Sequence, residues 1–273
     1  MSEMDLGRFL EEDMGSGDVT TETFVPDILG RARIICEEDA VVAGMEEAAE
    51  IFGLLGVTSE RLAADGERVR KGTEVMILKG PLRGILTGER TALNFMMRMS
   101  GIATATDSVV RAVREKDPLM MIAGTRKTTP GFRSFEKKSI ALGGGWRHRD
   151  GLYDMIMVKD NHILACGGVG NALDRIRGAP EGMKVEIEVE NIEDGVLAAK
   201  AGADIIMADH MSPSETRILR ERARSINGNV LIEASGNITE ENAADYAGCA
   251  DIVSLGSLTH SSKAVHFSLD LER

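Results

Sequence analysis

Short apolar runs alternate with amphipathic stretches along the chain from about residue 118 onward. Six runs of four or five mostly apolar residues have the length and composition of buried strands, at 119–123, 155–158, 185–189, 204–207, 230–233 and 251–255. The stretches 191–201 and 214–224 between them have helical spacing, and the second follows a Ser-Pro-Ser start signal. Repeated βα units of this length predict a parallel sheet, and a sheet closed into a barrel carries its chemistry at the carboxyl ends of the strands.

The first half of the chain has a different pattern. Strand-like runs over 30–37 and 74–79 are separated by Gly-rich turns and by one helical stretch around 45–55, which predicts a small α/β sandwich. A long helical signal over 88–116, interrupted near Ser100-Gly101, joins the two halves. We predict a sandwich domain of residues 1–104, completed by a C-terminal tail of 262–273, and a catalytic α/β barrel domain of residues 105–261.

Charge and composition exclude several classes of protein. The 273 residues contain 32 Lys and Arg against 44 Asp and Glu, and the net charge of −12 argues against a nucleic-acid binder. The three cysteines are far apart and form no CxxC, so we expect neither a disulfide framework nor a zinc site. The acidic N-terminal residues and the lack of an uncharged apolar run of about 18 residues predict neither a signal peptide nor a membrane span. We therefore expect a cytoplasmic protein.

Polar residues follow nearly every predicted strand of the barrel. The segments are Thr125-Arg126-Lys127, Lys159-Asp160-Asn161-His162, Asp209-His210, Ser235-Gly236-Asn237 and Gly256-Ser257-Leu258-Thr259-His260. Along the third strand Glu186, Glu188 and Glu190 alternate with period two, which predicts that they share one face. Three carboxylates on one inner face repel one another unless cations meet them, so a functional role is favoured over a structural one.

Basic residues are concentrated between residues 126 and 149. This segment holds seven Lys or Arg and one acid, a charge of +6, whereas the rest of the chain carries −18. A solvated helix face explains Lys137 and Lys138. It does not explain Arg126-Lys127 after a strand, or His148-Arg149 after three glycines that allow close backbone approach. These residue types suit a small polyanion with carboxylates and phosphates.

The loops after the last two predicted strands favour phosphate. Ser235-Gly236-Asn237 runs into residues 239–242, which read as a helix start, and Gly256-Ser257 begins a second Ser/Thr-rich turn. Gly-containing loops with helix N-termini behind them, after the final strands of a barrel, form phosphate sites. The two loops in this order therefore predict a phosphate site.

Several motifs together resemble the quinolinate phosphoribosyltransferases, also called carboxylating nicotinate-nucleotide pyrophosphorylases. They are ERTALN over 89–94, SGIAT over 100–104, TRKTTPG over 125–131, GGG at 143–145 with His148-Arg149, and KDNH over 159–162. GSGDVTT over 15–21 and GSLTHS over 256–261 are also similar to this family. The resemblance covers essentially the whole chain, and the number and order of the motifs make it specific.

The resemblance implies a fold, a reaction and an assembly. The fold is an N-terminal α/β sandwich with an incomplete α/β barrel, the type II phosphoribosyltransferase architecture. The reaction converts quinolinate and phosphoribosyl pyrophosphate to nicotinate mononucleotide, pyrophosphate and CO2 with Mg²⁺, in NAD biosynthesis. The assembly is a homodimer or a hexamer of dimers.

The resemblance also implies roles for individual residues. Quinolinate carboxylates would be held by Arg126, His148, Arg149 and Lys159, and by Arg90 of the partner subunit. Lys127 and Lys159 would face the pyrophosphate, and Glu188 and Asp209 would lie near the ribose and Mg²⁺. The 5′-phosphate would be framed by Ser235, Gly236, Asn237, Gly256 and His260.

The sequence departs from the usual family pattern at two places. Gly124 stands where an Asp commonly precedes Thr-Arg-Lys, which removes a partner of the basic cluster, and Trp146-Arg147 precede His148-Arg149, which adds a cation. These departures bear on the ring substrate, because a related family linked to molybdenum transport shares the fold, and a nicotinate-type phosphoribosyltransferase is a further alternative. The intact Lys-Asp-Asn-His stretch favours quinolinate.

Two other classes of function remain open at this point. A Schiff-base lyase would use Lys159 at a strand end as its nucleophile, but it leaves the phosphate loops and Arg90 unexplained. A non-catalytic binding barrel predicts loss of the acids and bases at the strand ends, which are present. A metal site built from His162 and His210 is less favoured than packing or surface roles for these histidines.

Overall fold

The computed structural model describes residues 5–272, apart from the side chain of Arg177. The described residues fall into two compact units, one from 5–105 with 262–272 and the other from 106–261. We number strands β1 to β12 and helices α1 to α10 along the chain. None of the helices in the described part of the chain is long and apolar enough to cross a membrane.

The first unit is an α/β sandwich, as predicted. Its sheets are a four-stranded antiparallel sheet in the order β12-β1-β5-β3 and a β2-β4 pair. The elements are α1 (Gly7–Met14), α2 (Val19–Phe24), β1 (Leu29–Cys36), β2 (Ala40–Val41), α3 (Met45–Leu54), β3 (Thr58–Arg61), β4 (Arg68–Val69), β5 (Thr73–Pro81), β12 (Phe267–Leu271) and the part of α4 (Leu82–Arg114) up to residue 105, the rest of α4 belonging to the second unit. In β1 every second residue, Ala32, Ile34 and Cys36, is fully buried, the period of a strand with one face in the core.

Helix α4 runs without a break from Leu82 to Arg114, so the predicted interruption near Ser100-Gly101 is wrong. Both residues serve packing within the first unit. The Ser100 hydroxyl accepts the N–H of Ala43 at 2.9 Å. A Cβ on Gly101 would lie 2.2 Å from the carbonyl oxygen of Lys263, so only glycine allows this close approach. Residues that weaken an isolated helix are here required by the neighbouring chain.

The second unit is built on six parallel strands in the order β6-β11-β10-β9-β8-β7. They are β6 (Met121–Gly124), β7 (Ile156–Val158), β8 (Val185–Val189), β9 (Ile205–Asp209), β10 (Leu231–Ser235) and β11 (Ile252–Leu255). Among the described residues β6 and β7 do not pair, so the barrel is incomplete, as predicted. Strands β9 and β10 run two residues beyond their predicted ends, which makes Asp209 and Ser235 the last residues of strands.

Helices connect these strands, and their starts follow from local sequence. They are α5 (Arg133–Leu142), α6 (Asp160–Ala165), α7 (Val169–Asp174), α8 (Ile192–Ala201), α9 (Pro213–Ile226) and α10 (Ser257–His260), with 3-10 turns at Ile176–Gly178 and Ala243–Tyr246. The Asn191 side chain accepts the N–H of Asp194 at the start of α8. Ser212 and Glu215 form a capping box at the start of α9.

The core of this unit lies between the strands and the helices α8 and α9. Ile187, Ile206 and Ile232 from β8, β9 and β10 pack with Leu219 of α9, and all four are fully buried. Because side chains alternate along a strand, the residues between them face the opposite side of the sheet. That side carries the polar groups described next.

Candidate active site

A cavity of about 830 Å³ lies at the carboxyl ends of the barrel strands. Residues from all six strands, and from loops that follow them, line this cavity. Its lining is Gly124, Thr125, Arg126, Lys127, His148, Arg149, Leu152, Met155, Ile156, Met157, Lys159, His162, Glu188, Met207, Asp209, His210, Glu233, Ser235, Gly236, Asn237 and Ser254. Ten of the residues singled out from the sequence therefore meet in one cavity: Arg126, Lys127, His148, Arg149, Lys159, Glu188, Asp209, Ser235, Gly236 and Asn237.

Two guanidinium groups give the cavity its cationic character. Arg126 follows β6, and its buried Nε has no hydrogen-bond partner among the described residues. Burial lowers the pKa of Arg149, and the positive charge of Arg126 lowers it further. Two partly buried cations that repel each other are stabilised when an anion binds between them. This side of the cavity is therefore suited to a carboxylate-bearing ligand.

Only part of the basic segment faces the cavity. Arg147 forms an ion pair with Asp150, with Nη2 at 3.0 and 3.1 Å from the two carboxylate oxygens, so the cation that departs from the family pattern is neutralised locally. Lys137 is fully buried, and the prediction that it lies on a solvated helix face is wrong. Its Nζ donates to the carbonyl oxygens of Gly124 and Arg147, and so it ties the end of β6 to the loop before His148.

Gly124 and Lys137 are hydrogen-bonded to each other at the end of β6. A Cβ at Gly124 would lie 3.1 Å from Cγ1 of Ile140, so a side chain at this position needs Ile140 to shift. Without a carboxylate at residue 124, the Lys137 ammonium has backbone carbonyls as its hydrogen-bond partners. Burial lowers the pKa of Lys137 to about 8, although the charge of Asp150 opposes this shift.

His148 lies in a buried polar cluster beneath Arg149. Its Nε2 is 2.9 Å from Oε2 of Glu233 and 3.2 Å from Oε2 of Glu186, and its Nδ1 accepts the backbone N–H of Arg149 at 2.8 Å. Glu233 also accepts the hydroxyl proton of Ser254 at 2.5 Å. Glu186 and Glu233 are fully buried, and within residues 5–272 the Glu186 oxygens have no polar partner at hydrogen-bond distance other than the His148 ring.

The three titratable groups of this cluster share their protons. Burial favours a neutral ring, but hydrogen bonds and charges from Glu186 and Glu233 outweigh it and raise the pKa of His148 to about 9. Burial and the charge of Glu233 raise the pKa of Glu186 to about 7. The ring and the two carboxylates therefore share protons, and their titration belongs to the cluster as a whole.

The acidic wall of the cavity comes from β8 and β9. Glu188 forms an ion pair with the ammonium of Lys159. Burial, and then the charge of Glu188, raise the pKa of Asp209. Glu190 lies exposed beyond the end of β8 and lines a separate cavity of about 490 Å³, so the prediction that three glutamates share the inner face holds only for Glu186 and Glu188. Two carboxylates on neighbouring strands are hard oxygen donors that suit Mg²⁺.

The loop after β10 is held in an unusual backbone conformation. Asn237, His210 and His148 have φ values of 53°, 56° and 58°, and they are the non-glycine residues with positive φ in the described part of the chain. All three line this cavity. A Cβ at Gly236, where φ is 86°, would lie 2.8 Å from the backbone nitrogen of His210. Such conformations are found where surrounding contacts enforce them, often at functional sites.

Both loops that are predicted to bind phosphate follow the last two strands, but the helix behind the first of them differs from the prediction. Residues 239–242 lead into the 3-10 turn Ala243–Tyr246 and not into an α-helix, so the first loop has no α-helical N-terminus directly behind it. Gly256 and His260 are outside the cavity lining but adjoin it. The Thr259 hydroxyl donates to the carbonyl of Lys127 at 2.7 Å, and a Cβ at Gly256 would lie 3.1 Å from Cδ of Lys127.

Arg90 and the remaining histidines complete the predicted set. Arg90 lies exposed on α4 in the first unit. His162 accepts the backbone N–H of Lys159 through Nδ1 at 2.9 Å, and His210 lies 3.7 Å from Asp209. In residues 5–272 the grouping with metal-ligand spacing is His148, Glu186 and Glu233, and it includes neither His162 nor His210.

Sequence reasoning missed Glu233 and Ser254. Each of the two residues lies in a strand between apolar residues, and the run VLIEAS over 230–235 carries a single acid. A charged residue inside a buried strand requires a partner, because burying an unpaired charge is costly. A lone acid inside an apolar strand is therefore a signal in the sequence for a buried partner, although the identity of that partner, His148, depends on tertiary structure.

The fold and the cavity define the class of protein, an incomplete α/β barrel with a site for a small polyanion at its carboxyl strand ends. Residues 102–270 match the model of the quinolinate phosphoribosyl transferase C-terminal domain, and residues 18–100 match that of the N-terminal domain. The chain belongs to the quinolinate phosphoribosyltransferase family.

Individual relatives are similar over nearly their whole length. The chain is 41% identical to the probable nicotinate-nucleotide pyrophosphorylase (carboxylating) of Archaeoglobus fulgidus, covering 94% of this chain and 98% of that protein. It is 40% identical to the protein of the same name from Bacillus subtilis, covering 97% and 92%. A crystal structure of NadC from Streptococcus pyogenes, 38% identical, superposes with a TM-score of 0.92 over 98% of this chain and 95% of that one.

Proposed function

We propose that this chain is a quinolinate phosphoribosyltransferase of NAD biosynthesis. It converts quinolinate and phosphoribosyl pyrophosphate to nicotinate mononucleotide, pyrophosphate and CO2. The observation that carries the proposal is one cavity in which Arg126 and Arg149 stand beside each other and the carboxylates Glu188 and Asp209 line another wall. A dicarboxylate and a phosphorylated sugar are the two ligand types that this charge distribution suits.

Binding of the ring substrate is assigned to the cationic wall. Arg126 and Arg149 offer guanidinium forks, and Lys159 offers a point charge, to the two carboxylates of quinolinate. Lys127 and Lys159 face the pyrophosphate in this arrangement. The 5′-phosphate is assigned to Ser235, Gly236, Asn237, Gly256 and His260, where backbone N–H groups can donate to its oxygens.

The steps of the proposed reaction follow from where charge develops on the sugar and the ring. The ring nitrogen forms a bond to C1 of the ribose as the C1–O bond to pyrophosphate breaks, and positive charge builds on the sugar. Glu188 and Asp209 stabilise this charge more in the transition state than in the ground state. The C2 carboxylate then leaves as CO2, and the electron pair that remains on C2 of the cationic ring takes up a proton.

A magnesium ion fits the acidic wall. Glu188 and Asp209 are the carboxylates that would hold it, since Mg²⁺ is usually bound by one or two carboxylates together with substrate phosphates. When bound, it would supply neutralisation of charge on the pyrophosphate leaving group.

The assay of the proposed function measures the release of labelled CO2 from carboxyl-labelled quinolinate. We expect release only when phosphoribosyl pyrophosphate and Mg²⁺ are both present, and a strong reduction in an Arg126→Ala variant. Release without phosphoribosyl pyrophosphate would show a simple decarboxylase. No release under any condition would refute the proposal.

A Schiff-base lyase receives less support. Such an enzyme needs a lysine with a free amine, whereas the Lys159 ammonium is paired with Glu188. Borohydride added with a carbonyl substrate would trap a covalent adduct on Lys159 in a lyase. We expect no adduct.

We also propose that the enzyme works in the cytoplasm as a homodimer or hexamer, with Arg90 of the partner subunit completing each site. Mixing Arg90→Ala with Arg126→Ala subunits then restores activity at one hybrid site, where an intact Arg90 meets an intact Arg126. Verified subunit exchange without recovery, or a fully active monomer, would show that each site is complete within one chain.

A further inference from the structure

Arg126 and Arg149 stand on two segments of chain that no regular ladder of strand hydrogen bonds connects. Arg126 follows β6, and Arg149 lies in the loop that leads into β7, while in the described part of the chain β6 and β7 do not pair. The two segments meet at an isolated bridge between Ala123 and Trp146. In a closed barrel the ladder fixes the distance between neighbouring strands. Here other contacts must hold the two guanidinium groups at their separation.

One such contact is made by Arg133, the first residue of helix α5. Its Nε donates to Oγ1 of Thr128 at 2.9 Å, and its Nη1 donates to the carbonyl oxygen of Asp150 at 3.2 Å. Thr128 lies two residues after Arg126, and Asp150 directly follows Arg149. The Arg133 guanidinium therefore links the two segments on the far side of both cavity cations.

Lys137 links the same two segments on the near side. Its buried Nζ donates to the carbonyl oxygen of Gly124 at 3.4 Å and to that of Arg147. These carbonyls lie two residues before Arg126 and two residues before Arg149, respectively. Residues four apart lie about one turn apart on the same face of a helix. One face of α5 thus contacts the chain before and after each of the two cations.

A third charged residue of α5 fastens the helix itself. The Glu136 carboxylate accepts the N–H of Thr129 at 3.2 Å and its hydroxyl proton at 2.9 Å. Glu136 and Lys137 are fully buried, and Arg133, Glu136 and Lys137 are all outside the cavity lining. These three residues, which we call the α5 clamp, therefore do not meet a ligand in the cavity. They contact the backbone and hydroxyl groups that carry the ligand-facing residues.

We propose that Arg133 and Lys137 are positioning residues that set the separation of Arg126 and Arg149, and so select a ring whose two carboxylates are on adjacent atoms. The inference rests on the proposed function for the identity of this ligand as quinolinate. A rigid dicarboxylate presents its two anionic groups at a fixed distance, so its affinity depends on how well the separation of the two guanidinium groups matches it. The α5 clamp supplies that preorganisation from outside the cavity.

A role of the clamp in general stability is the alternative. Partial unfolding lowers the number of competent sites, but it does so equally for every ligand that binds them. The ratio of the affinities for two ligands of equal charge and different carboxylate spacing is therefore independent of stability. That ratio isolates the geometry of the site.

Titration calorimetry with quinolinate and with its isomer pyridine-2,4-dicarboxylate, whose carboxylates are not adjacent, measures this ratio. We expect the wild type to bind quinolinate more tightly. Lys137→Met should weaken the binding of quinolinate by about 10²-fold, the effect of misplacing a binding group by about 1 Å. Binding of the isomer should change far less, so the preference falls.

Variants of Arg133 grade the result. Arg133→Met removes one link and leaves the other, so we expect about a tenfold weaker binding of quinolinate. Arg133→Lys keeps the charge but loses the fork that contacts two segments, and should lie between the wild type and Arg133→Met. Lys200→Met, which changes an exposed lysine of α8, is the control and should leave both affinities unchanged. An unchanged ratio in Lys137→Met and Arg133→Met would overturn the proposal.

Amide hydrogen exchange of the ligand-free protein tests the clamp without any substrate. The N–H of Trp146 donates to Ile122 at 2.7 Å, and the N–H of Gly124 donates to Trp146 at 3.0 Å. We expect these two amides to exchange at least about tenfold faster in Lys137→Met, with the amides of β9 unchanged. Unchanged exchange at the bridge, or an equal increase in β9, would overturn the positioning role.

The two kinds of measurement separate this inference from the proposed function. A protein that neither binds quinolinate nor releases CO2 from it refutes the proposed function and the ligand named here, whereas the exchange rates still show whether α5 holds the two segments together. If Lys137→Met fails to fold, the two Arg133 variants provide both the affinity ratio and the exchange rates at the bridge.

Discussion

Two sides of the cavity are built in different ways. The ring side, which we define as Arg126, His148 and Arg149, is held by buried groups, above all the carboxylate of Glu233 and the ammonium of Lys137. The phosphate side, defined as Ser235, Gly236 and Asn237, is held by backbone conformation, with positive φ at Gly236 and Asn237. Under the proposed function, a planar dicarboxylate would meet oriented side chains, whereas a phosphate would meet a loop whose N–H groups can donate.

The largest expected effect concerns the acidic wall between the two sides. Glu188→Gln or Asp209→Asn should lower kcat by about 10²-fold or more, because each removes one preorganised charge beside the developing cation. The dissociation constants of the substrates should change less. Glu190→Gln, which alters an exposed glutamate just beyond the same strand, is the matched control. Steady-state kinetics with unchanged kcat in both site variants would remove these carboxylates from the mechanism.

The next effect separates the ring side from the phosphate side. Arg126→Ala should raise the KM for quinolinate by about 10- to 100-fold, the range for a lost hydrogen bond to a charged group. The KM for phosphoribosyl pyrophosphate should rise far less. Arg126→Lys keeps the charge but loses the fork, so it should fall between the wild type and Ala. Equal effects on both KM values would show that the two sides are not distinct.

A pH effect on stability tests the buried support of the ring side. The folded chain releases the Lys137 proton near pH 8, whereas the unfolded chain keeps it to about pH 10.5. Between these values the unfolded state binds more protons, so the free energy of unfolding rises with pH, by at most about 1.4 kcal/mol per pH unit from this group.

Comparison of two lysine variants isolates the contribution of Lys137 to the pH dependence of stability. Lys137→Met should reduce the slope of unfolding free energy against pH between 8 and 10.5, as measured by urea denaturation. Lys200→Met, which changes an exposed lysine in the last turn of α8, should leave the slope unchanged. The same slope in the wild type and in Lys137→Met would show that Lys137 is not the source.

The smallest expected effect concerns the phosphate loop. Gly236→Ala introduces a Cβ 2.8 Å from the backbone nitrogen of His210 at a φ of 86°, so the loop must shift. We expect about a tenfold rise in the KM for phosphoribosyl pyrophosphate, on the scale of 1–3 kcal/mol of local strain. Gly228→Ala, where nothing lies within 4 Å of the added Cβ, is the control. A selective rise in the KM for quinolinate would contradict the division of the cavity.

The sequence predicted those features that depend on local pattern. Apolar runs identified all six barrel strands, and the polar residues after them identified most of the cavity lining, because parallel strands end at one edge. The ends of β9 and β10 were placed two residues early, since Asp209 and Ser235 are polar residues that continue a strand. Pattern alone does not distinguish such a residue from the start of a loop.

Features that depend on tertiary contacts were missed. Lys137 reads as a surface residue on an amphipathic helix, and its burial becomes intelligible only when the carbonyls of Gly124 and Arg147 are placed beside it. Ser100-Gly101 reads as a helix break, yet it allows another segment to pack closely against a continuous helix. In both cases the local preference is outweighed by contacts from residues distant in sequence.

The most direct test of the account compares quinolinate with nicotinate as ring substrates. Nicotinate lacks the second carboxylate, which we propose that the ring side holds and which leaves as CO2. The measurement is kcat/KM for each acid with saturating phosphoribosyl pyrophosphate and Mg²⁺, with nicotinate mononucleotide quantified as the product. We predict a much higher value for quinolinate, and a smaller preference in Arg126→Ala. Equal or faster turnover of nicotinate by the wild-type enzyme would contradict the account.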